Sequence, residues 1–356
     1  MIRYIVPSVN SHVKLERCCP YCRRKNGNIH SSIRYRRISD IKVKAIPQQR
    51  MRCPFCSATW TIRSEGVSDG KQRSDSLITI GVILYMFGLS YRSVEKFLPL
   101  LDCRGSKSTI ERDVAAAGQK VKALHLSAPQ MRVRVLGADG TGARMAGKKR
   151  KGLLFFVDIE RGKLVCVEPV NETDSAKVRR HVQKVMHQVG AEQLLTDELS
   201  VYSKIVPEDQ HKICLAHWRK SKCRRAYELH RKVKAEGLKH ASDDMLELVQ
   251  LVRAEPRPPT VPSQLERLVR RYINCRKGVL WKVNQLLQHI ERSWESISND
   301  SGDRTNNTTE RIIGLTYKVR AKTMRGFKSL DKVLAHPYLS EFLSGEGGVC
   351  DLRQVV

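Results

Sequence analysis

The sequence has no apolar run long enough to cross a bilayer. Its longest, Ile80 to Leu89, is about half of what a spanning helix needs. The N-terminus, Met1-Ile2-Arg3-Tyr4, lacks the apolar region of a secretory leader. The two absences predict an intracellular protein, cytoplasmic or associated with the nucleoid. In such a compartment thiols stay reduced, so the eleven cysteines call for metal binding or burial rather than disulfides. No internal repeat is evident. Acidic residues are scarce: 36 against 65 basic ones, a net charge of +29. A lipid surface is the rival explanation of such an excess, but a polyanion is favoured, because each phosphate contact releases counterions. The chain itself, 356 residues and 41% apolar, can build two or three domains with ordinary cores.

Two matched turns stand near the N-terminus, Cys19-Pro20-Tyr21-Cys22 and Cys53-Pro54-Phe55-Cys56. Each aims two thiolates at one point, and together they make the four-sulfur tetrahedron that structural zinc prefers. Cys18 breaks the spacing. Between the turns, Ile33 to Arg36 and Ile41 to Lys44 alternate apolar and basic residues, as half-buried strands do. Basic residues outnumber acidic ones about threefold over residues 1–75, which suits a zinc ribbon that touches nucleic acid.

From Ser76 the period becomes helical, with Leu77, Ile80, Gly81, Ile83, Leu84 and Phe87 as the expected apolar face. Gly88 ends that helix, Ser90 caps the next, Tyr91 to Leu100, and Ser108 is the expected cap of a third, running through Lys122. The segment from Gly88 to Val94 has the form of a helix-turn-helix turn. The third helix, with Lys107, Thr109, Arg112 and Lys120, would then enter a major groove.

Residues 132–200 read as a hairpin of three strands, a helix and a further strand. The strands are Arg132 to Ala138, Leu153 to Ile159 and Leu164 to Val170; the helix is Asp174 to Val189; the last strand is Gln193 to Thr196. This is the element order of a ribonuclease H-like fold, in which the first and fourth strands lie side by side. Asp139 and Asp197 would then meet at the strand ends, and Glu310 would join them from a helix spanning Arg304 to Met324. Three clustered carboxylates repel one another unless divalent metal neutralises them. Two magnesium or manganese ions suit the oxygen donors and the cleavage of phosphodiesters. Behind Glu310, Arg311, Lys318, Lys322 and Arg325 fall at helical spacing, a stripe expected to hold the phosphates beside the scissile bond.

With Asp139-Gly140-Thr141, Thr196-Asp197-Glu198, Asn306-Asn307-x-x-Glu310-Arg311, Arg325 to Ser329 and Cys214-Leu215-Ala216-His217-Trp218, residues 75–345 resemble the DDE transposases of bacterial and archaeal insertion sequences, closest to the Mutator-like branch. The resemblance implies cut-and-join chemistry on transposon ends, with double-stranded end and target DNA as partners and a homodimer or higher assembly on DNA. It also gives Cys214 and His217 a shared signature. From spacing alone they sit on one helix face, too few to complete a zinc site, and orienting the loop of Asp197 is their expected role.

Between Asp197 and Glu310 two long helices are expected, Arg219 to Arg253 and Ser263 to Ile297, parted by the Pro-rich stretch 255–262. Their basic residues (Arg219, Lys220, Lys222, Arg224, Arg225, Arg267, Arg270, Arg271) would grip DNA or a second subunit, while Trp281 and Trp294 would pack in the helical core. The expected organisation is an α/β protein. It comprises a zinc ribbon (1–72), a helix-turn-helix (73–128), a ribonuclease H-like core in two parts (129–218 and 301–343) enclosing a helical insertion (219–300), and a flexible tail (344–356). A nuclease of the same fold and a non-catalytic DNA-binding regulator are the competing functions.

Overall fold

The computed structural model describes residues 2–10, 12–129, 132–199, 201–202, 205–254, 260–298, 306–324, 326–345 and 347–356. Two units are present, one formed by Met1–Ala128 with Thr316–Val356 and the other by Pro129–Leu315.

The first unit begins with a short strand, β1 (Arg3–Ile5), followed by a small antiparallel sheet. In that sheet β4 (Ala45–Arg52) pairs with β2 (Asn28–Ile29), β3 (Arg34–Arg37) and β5 (Thr59–Arg63). The expected strand Ile41 to Lys44 is a turn instead. The Asp40 carboxylate accepts the N–H groups of Lys42 and Val43, both at 2.8 Å, and this side-chain turn outcompetes the alternation. Helix α1 (Asp75–Met86) is capped by Ser74, and α2 (Tyr91–Phe97) by Ser90 as expected. Helix α3 (Lys107–Ser127) is capped by Ser106, not Ser108. On α1 the buried stripe is Leu77, Ile78, Gly81, Val82 and Tyr85, while Phe87 is exposed. Almost every side chain of α1 is apolar, so the period could not choose a face.

In the second unit a five-stranded sheet has the order β10-β9-β6-β7-β8. Strands β6 (Val135–Met145), β7 (Lys148–Asp158) and β8 (Lys163–Glu168) form an antiparallel meander. Helix α4 (Ser175–Val189), capped by Asp174, lays Val178, Val182, Val185 and Met186 on one sheet face, against Leu136, Ala138, Leu154 and Phe156. The chain returns as β9 (Gln193–Thr196), parallel to β6, and β10 (His211–Ile213), parallel to β9.

Helices α5 (Leu215–Ala235), α6 (Lys239–Arg253), α7 (Ser263–Tyr272) and α8 (Gly278–Ser298) then pack around their own apolar core. Each of the two expected long helices is thus divided. Gly237 (φ +76°) closes α5, with Leu238 N–H donating back to the Val233 carbonyl, and Gly278 (φ +64°) opens α8. Of the Pro-rich stretch, residues 255–259 lie outside the described residues. Trp294 is fully buried edge-on to Trp218, whose indole N–H donates to Ser293 Oγ at 3.0 Å; Trp281 is 39% exposed.

Helix α9 (Asn307–Ile313) completes that unit, and the chain continues through a π-helical turn (Gly314–Lys318) into α10 (Val319–Thr323). The single helix expected over 304–324 is therefore broken by a wider turn, which shifts the angular positions beyond it. Residues 301–305 and Arg325 lie outside the described residues. Back in the first unit, α11 (Leu330–Leu343) packs on α3, where the absent side chain of Gly118 lets Ala335 approach. The expected flexible tail carries β11 (Val349–Asp351), paired in parallel with β1.

Candidate active site

The register of β6 on β9 decides where the acids go. Leu136 pairs with Leu194 and Gly137 with Leu195, so Asp139 and Asp197 each stand two residues beyond the last matched pair. Side chains alternate along a strand, so Gly137 and Asp139 share the face opposite Leu136 and Ala138, which pack on α4. Contrary to the expectation, Asp139 does not stand at the end of its strand. The parallel pairing stops at Gly137, while β6 continues against β7 as far as Met145.

Helix α9 brings Glu310 to this edge. Asn306, fully buried at its start, donates from Nδ2 to the Ala138 carbonyl at 3.3 Å. Gly137 makes that approach feasible: a Cβ there would lie 2.2 Å from Thr309 Oγ1 and 3.1 Å from Asn306 Oδ1. A bare backbone patch on β6 is thus the seat of the helix that carries Glu310.

Cys214 and His217 join the two halves. Cys214 N–H donates to the Thr196 carbonyl at 2.7 Å, next to Asp197, and its Sγ accepts the Asn306 N–H at 3.1 Å. One helical turn on, His217 Nε2 lies 2.9 Å from Glu310 Oε1. The Cys-x-x-His spacing therefore connects the β9 end to α9 at two levels.

Several contacts of the edge were not read from the sequence. Glu172, just before α4, lies over Gly140, where a Cβ would come within 2.1 Å of its carboxyl, and Tyr202 donates its hydroxyl to Glu172 Oε1 at 2.5 Å. Burial, with the charge of Asp197, lifts the Glu172 carboxyl above the usual range. Burial, with the charge of Glu198, does the same to Asp197, against the opposing pull of Leu199 N–H and His217. Glu198 turns the other way. Its carboxylate takes the buried Lys222 ammonium and His289 Nε2, the latter at 2.7 Å, and these bonds hold it below the usual range although burial opposes its charge. Lys222 is thus not part of a DNA-gripping surface; it is 1% exposed and anchors the β9 end to α5. A lone Glu in a loop and an Asp-Glu pair carry no sequence signal of these partners, and the expected strand stopped at Ala138, short of Gly140, whose place inside β6 marks the close approach.

The acids share an edge without converging on a point. Among the described residues, only the four cysteines form a set of three or more Cys, His, Asp or Glu ligands whose donor atoms all lie within 4.8 Å of one another. Cys19 and Cys56 Sγ are 3.7 Å apart, and Cys22 and Cys53 Sγ 3.5 Å. A zinc tetrahedron with bonds of about 2.3 Å would separate its sulfurs by about 3.8 Å. The two knuckles repeat one turn: Arg23 N–H donates to the Cys19 carbonyl and Ser57 N–H to that of Cys53, with Arg23 and Ser57 both at φ +57°. The cluster can therefore hold a zinc ion. Cys18 is outside it, with its Sγ on the Arg23 carbonyl.

The other basic residues singled out are dispersed. Arg112 is exposed on α3, and Lys107 is half-buried with its N–H on Glu95. The Arg311 guanidinium packs over Gly162, in the turn between β7 and β8. Lys318 ends the π-helical turn and Lys322 lies beyond it, so neither continues the α-helical stripe that starts at Arg311. Arg320 is buried on the Tyr85 ring and donates to the Gly88 and Leu89 carbonyls at 2.6 and 2.9 Å, closing the end of α1. Arg267, Arg270 and Arg271 pair with Glu247, Glu266 and Asp244. No helix among the described residues is long and apolar enough to cross a membrane.

A search of the curated proteins finds no match to the chain. A protein-family model, described as the transposase IS66 family, matches residues 73–313, more than half of the chain, from just before α1 to the end of α9. That span includes Asp139, Asp197, Glu310 and the Cys214–His217 clasp. It corrects the expected branch, because IS66 is not Mutator-like. The Cys-x-x-His pattern that suggested that branch does structural work here, joining the end of β9 to α9, and so does not by itself mark a lineage. With a match over more than half of its length, this chain belongs to the IS66 family of transposases.

Proposed function

We propose that the protein binds transposon ends, cleaves them by metal-dependent hydrolysis and joins the exposed 3′-hydroxyl to target DNA. The acids are Asp139, Asp197 and Glu310. The observation that carries this reading is the register of β6 on β9, with α9 seated on the same face of β6 through Gly137. The strand order, a meander followed by two parallel strands across from it, supports a ribonuclease H-like core. The helices α5 to α8 then read as an insertion within it.

The donors at the edge are carboxylate oxygens, which suit magnesium or manganese. Asp197 and Glu172 are both lifted by burial and by neighbouring negative charge, the condition a divalent cation relieves. When bound, a pair of such ions would activate the attacking oxygen and stabilise the leaving one. The protein's own part is positional. Cys214 and Asn306 fix the start of α9, His217 holds the Glu310 carboxylate, and Lys222 with His289 holds Glu198 so that Asp197 faces the edge.

End recognition falls to the four-cysteine module and to α1–α3, with Lys107 and Arg112 toward DNA as a helix-turn-helix. The strong positive charge supports double-stranded DNA as the partner. A homodimer or larger assembly would hold two ends together. A nuclease of the same fold would cut without joining, and a regulator would do neither. Incubation of the purified protein with labelled end DNA and magnesium separates the three, and strand-joined product is the expected result.

A further inference from the structure

Helix α5 has two different sides. Leu215, Trp218, Cys223, Ala226, Leu229 and Val233 face the helical core. On the outer side His217, Lys220, Ser221, Arg224, Arg225 and Glu228 line one open depression, at the spacing of a single helix stripe. The depression begins at the candidate active site, because His217 lies 2.9 Å from Glu310. From His217 to Glu228 the helix rises about 16 Å.

Its start beside Glu310 sets this stripe apart from the other basic residues of the helical bundle. Lys222, Arg267, Arg270 and Arg271 each have a carboxylate partner. Among the described residues, no carboxylate lies within ion-pair distance of Lys220 or Arg225, and both are exposed. Arg224 has one partner, Glu228 at 3.0 Å, an exposed pair of small worth that a phosphate can replace.

We propose that this stripe is a phosphate track for the DNA strand passing over the carboxylate edge. Its ligand is the sugar-phosphate backbone. Lys220 and Arg225 each take a phosphate, Arg224 takes a third on release from Glu228, and no base is read. A duplex strand advances about 3.4 Å per phosphate, so the track covers roughly four or five steps, enough for three contacts. The inference rests on reading the edge as the active site.

The test is binding of labelled duplex to the full-length protein across a series of salt concentrations, for the wild type, Lys220→Ala/Arg225→Ala and Glu228→Gln. End duplex, unrelated duplex and single strand are the probes. The double variant should weaken binding about equally for end and unrelated duplex, and flatten the log–log salt slope by about 1.8. On single strand the loss of slope should be nearer 1.4 if the track takes an unpaired backbone. Glu228→Gln should tighten binding several-fold, an effect that damage to the fold would not produce. An unchanged slope in the double variant, a loss confined to the end sequence, or weaker binding by Glu228→Gln would each overturn the track. Cleavage separates the two levels of argument. A wild type that binds but never cuts contradicts the reading of the edge and leaves the slopes interpretable. A wild type that cuts, alongside a double variant with unchanged slope and cutting, contradicts the track alone.

Discussion

Gly137→Ala is the smallest change that tests how Glu310 reaches the edge. The added methyl would meet Thr309 Oγ1 at 2.2 Å, Ile159 Cδ1 at 2.5 Å and Asn306 Oδ1 at 3.1 Å. The Ile159 methyl is the end of a flexible side chain and can rotate away. Thr309 cannot do so as easily: it is fully buried and β-branched, with few rotamers open to it in a helix. Relief to an ordinary contact therefore moves α9 outward by about 1 Å. Overpacking of this kind costs about 1–3 kcal/mol. A shift of about 1 Å at a catalytic group costs on the order of a hundredfold in rate. The expected result is a folded protein, a Tm lower by roughly 2–12 °C, unchanged DNA affinity and cleavage about a hundredfold slower. Thr309→Ala added to Gly137→Ala removes the closest clash and should restore most of the rate. Full activity in the single variant, or no recovery in the double, would refute the claim that the Gly137 seat sets the position of Glu310.

Removing zinc, or Cys53→Ser, should unfold the four-cysteine module and weaken end binding, because so small a sheet has little core of its own; freshly purified protein without one zinc per chain would contradict this. Lys222→Met leaves half-buried Glu198 with His289 alone and should cost about 3 kcal/mol, read as a fall in Tm of roughly 6–12 °C; a neutral result would show that the pair does not anchor the β9 end. Burial, followed by the charge of Arg320, pushes the His336 imidazole down to about 4. Its unfolded form takes a proton first as pH falls, so stability present above about pH 6.5 is lost between there and pH 4, by about 3 kcal/mol. His336→Phe should remove that part of the slope in a pH series of thermal melts.

Local patterns with one dominant physical cause were legible in the sequence. The matched Cys-Pro-aromatic-Cys turns led to four sulfurs at tetrahedral spacing, and Gln193 to Thr196 forms the expected strand beside β6. What escaped depended on choices the chain makes only on packing. Helix α1 is apolar on nearly every side, so its buried stripe was assigned correctly at Leu77 and Gly81 but not at Ile80, Ile83, Leu84 and Phe87. Lys222 looked like a surface cation because a basic residue shows its charge in the sequence but not its partner, which here is Glu198. The π-helical turn at Gly314–Lys318 has no composition signal, yet it broke the stripe expected from Arg311 to Lys322. Glu172 and Tyr202 meet at the edge only because Gly140 leaves room there.

Metal rescue tests the central claim most directly. Asp139→Cys, Asp197→Cys and Glu310→Cys each replace a hard oxygen donor with sulfur, which magnesium binds poorly and manganese accepts more readily. The account predicts that each variant binds end DNA like the wild type, fails to cut it in magnesium and regains part of its cutting and joining in manganese. A variant that cuts normally in magnesium, or one that stays inactive in both metals while the wild type works in both, would contradict direct metal binding by that residue.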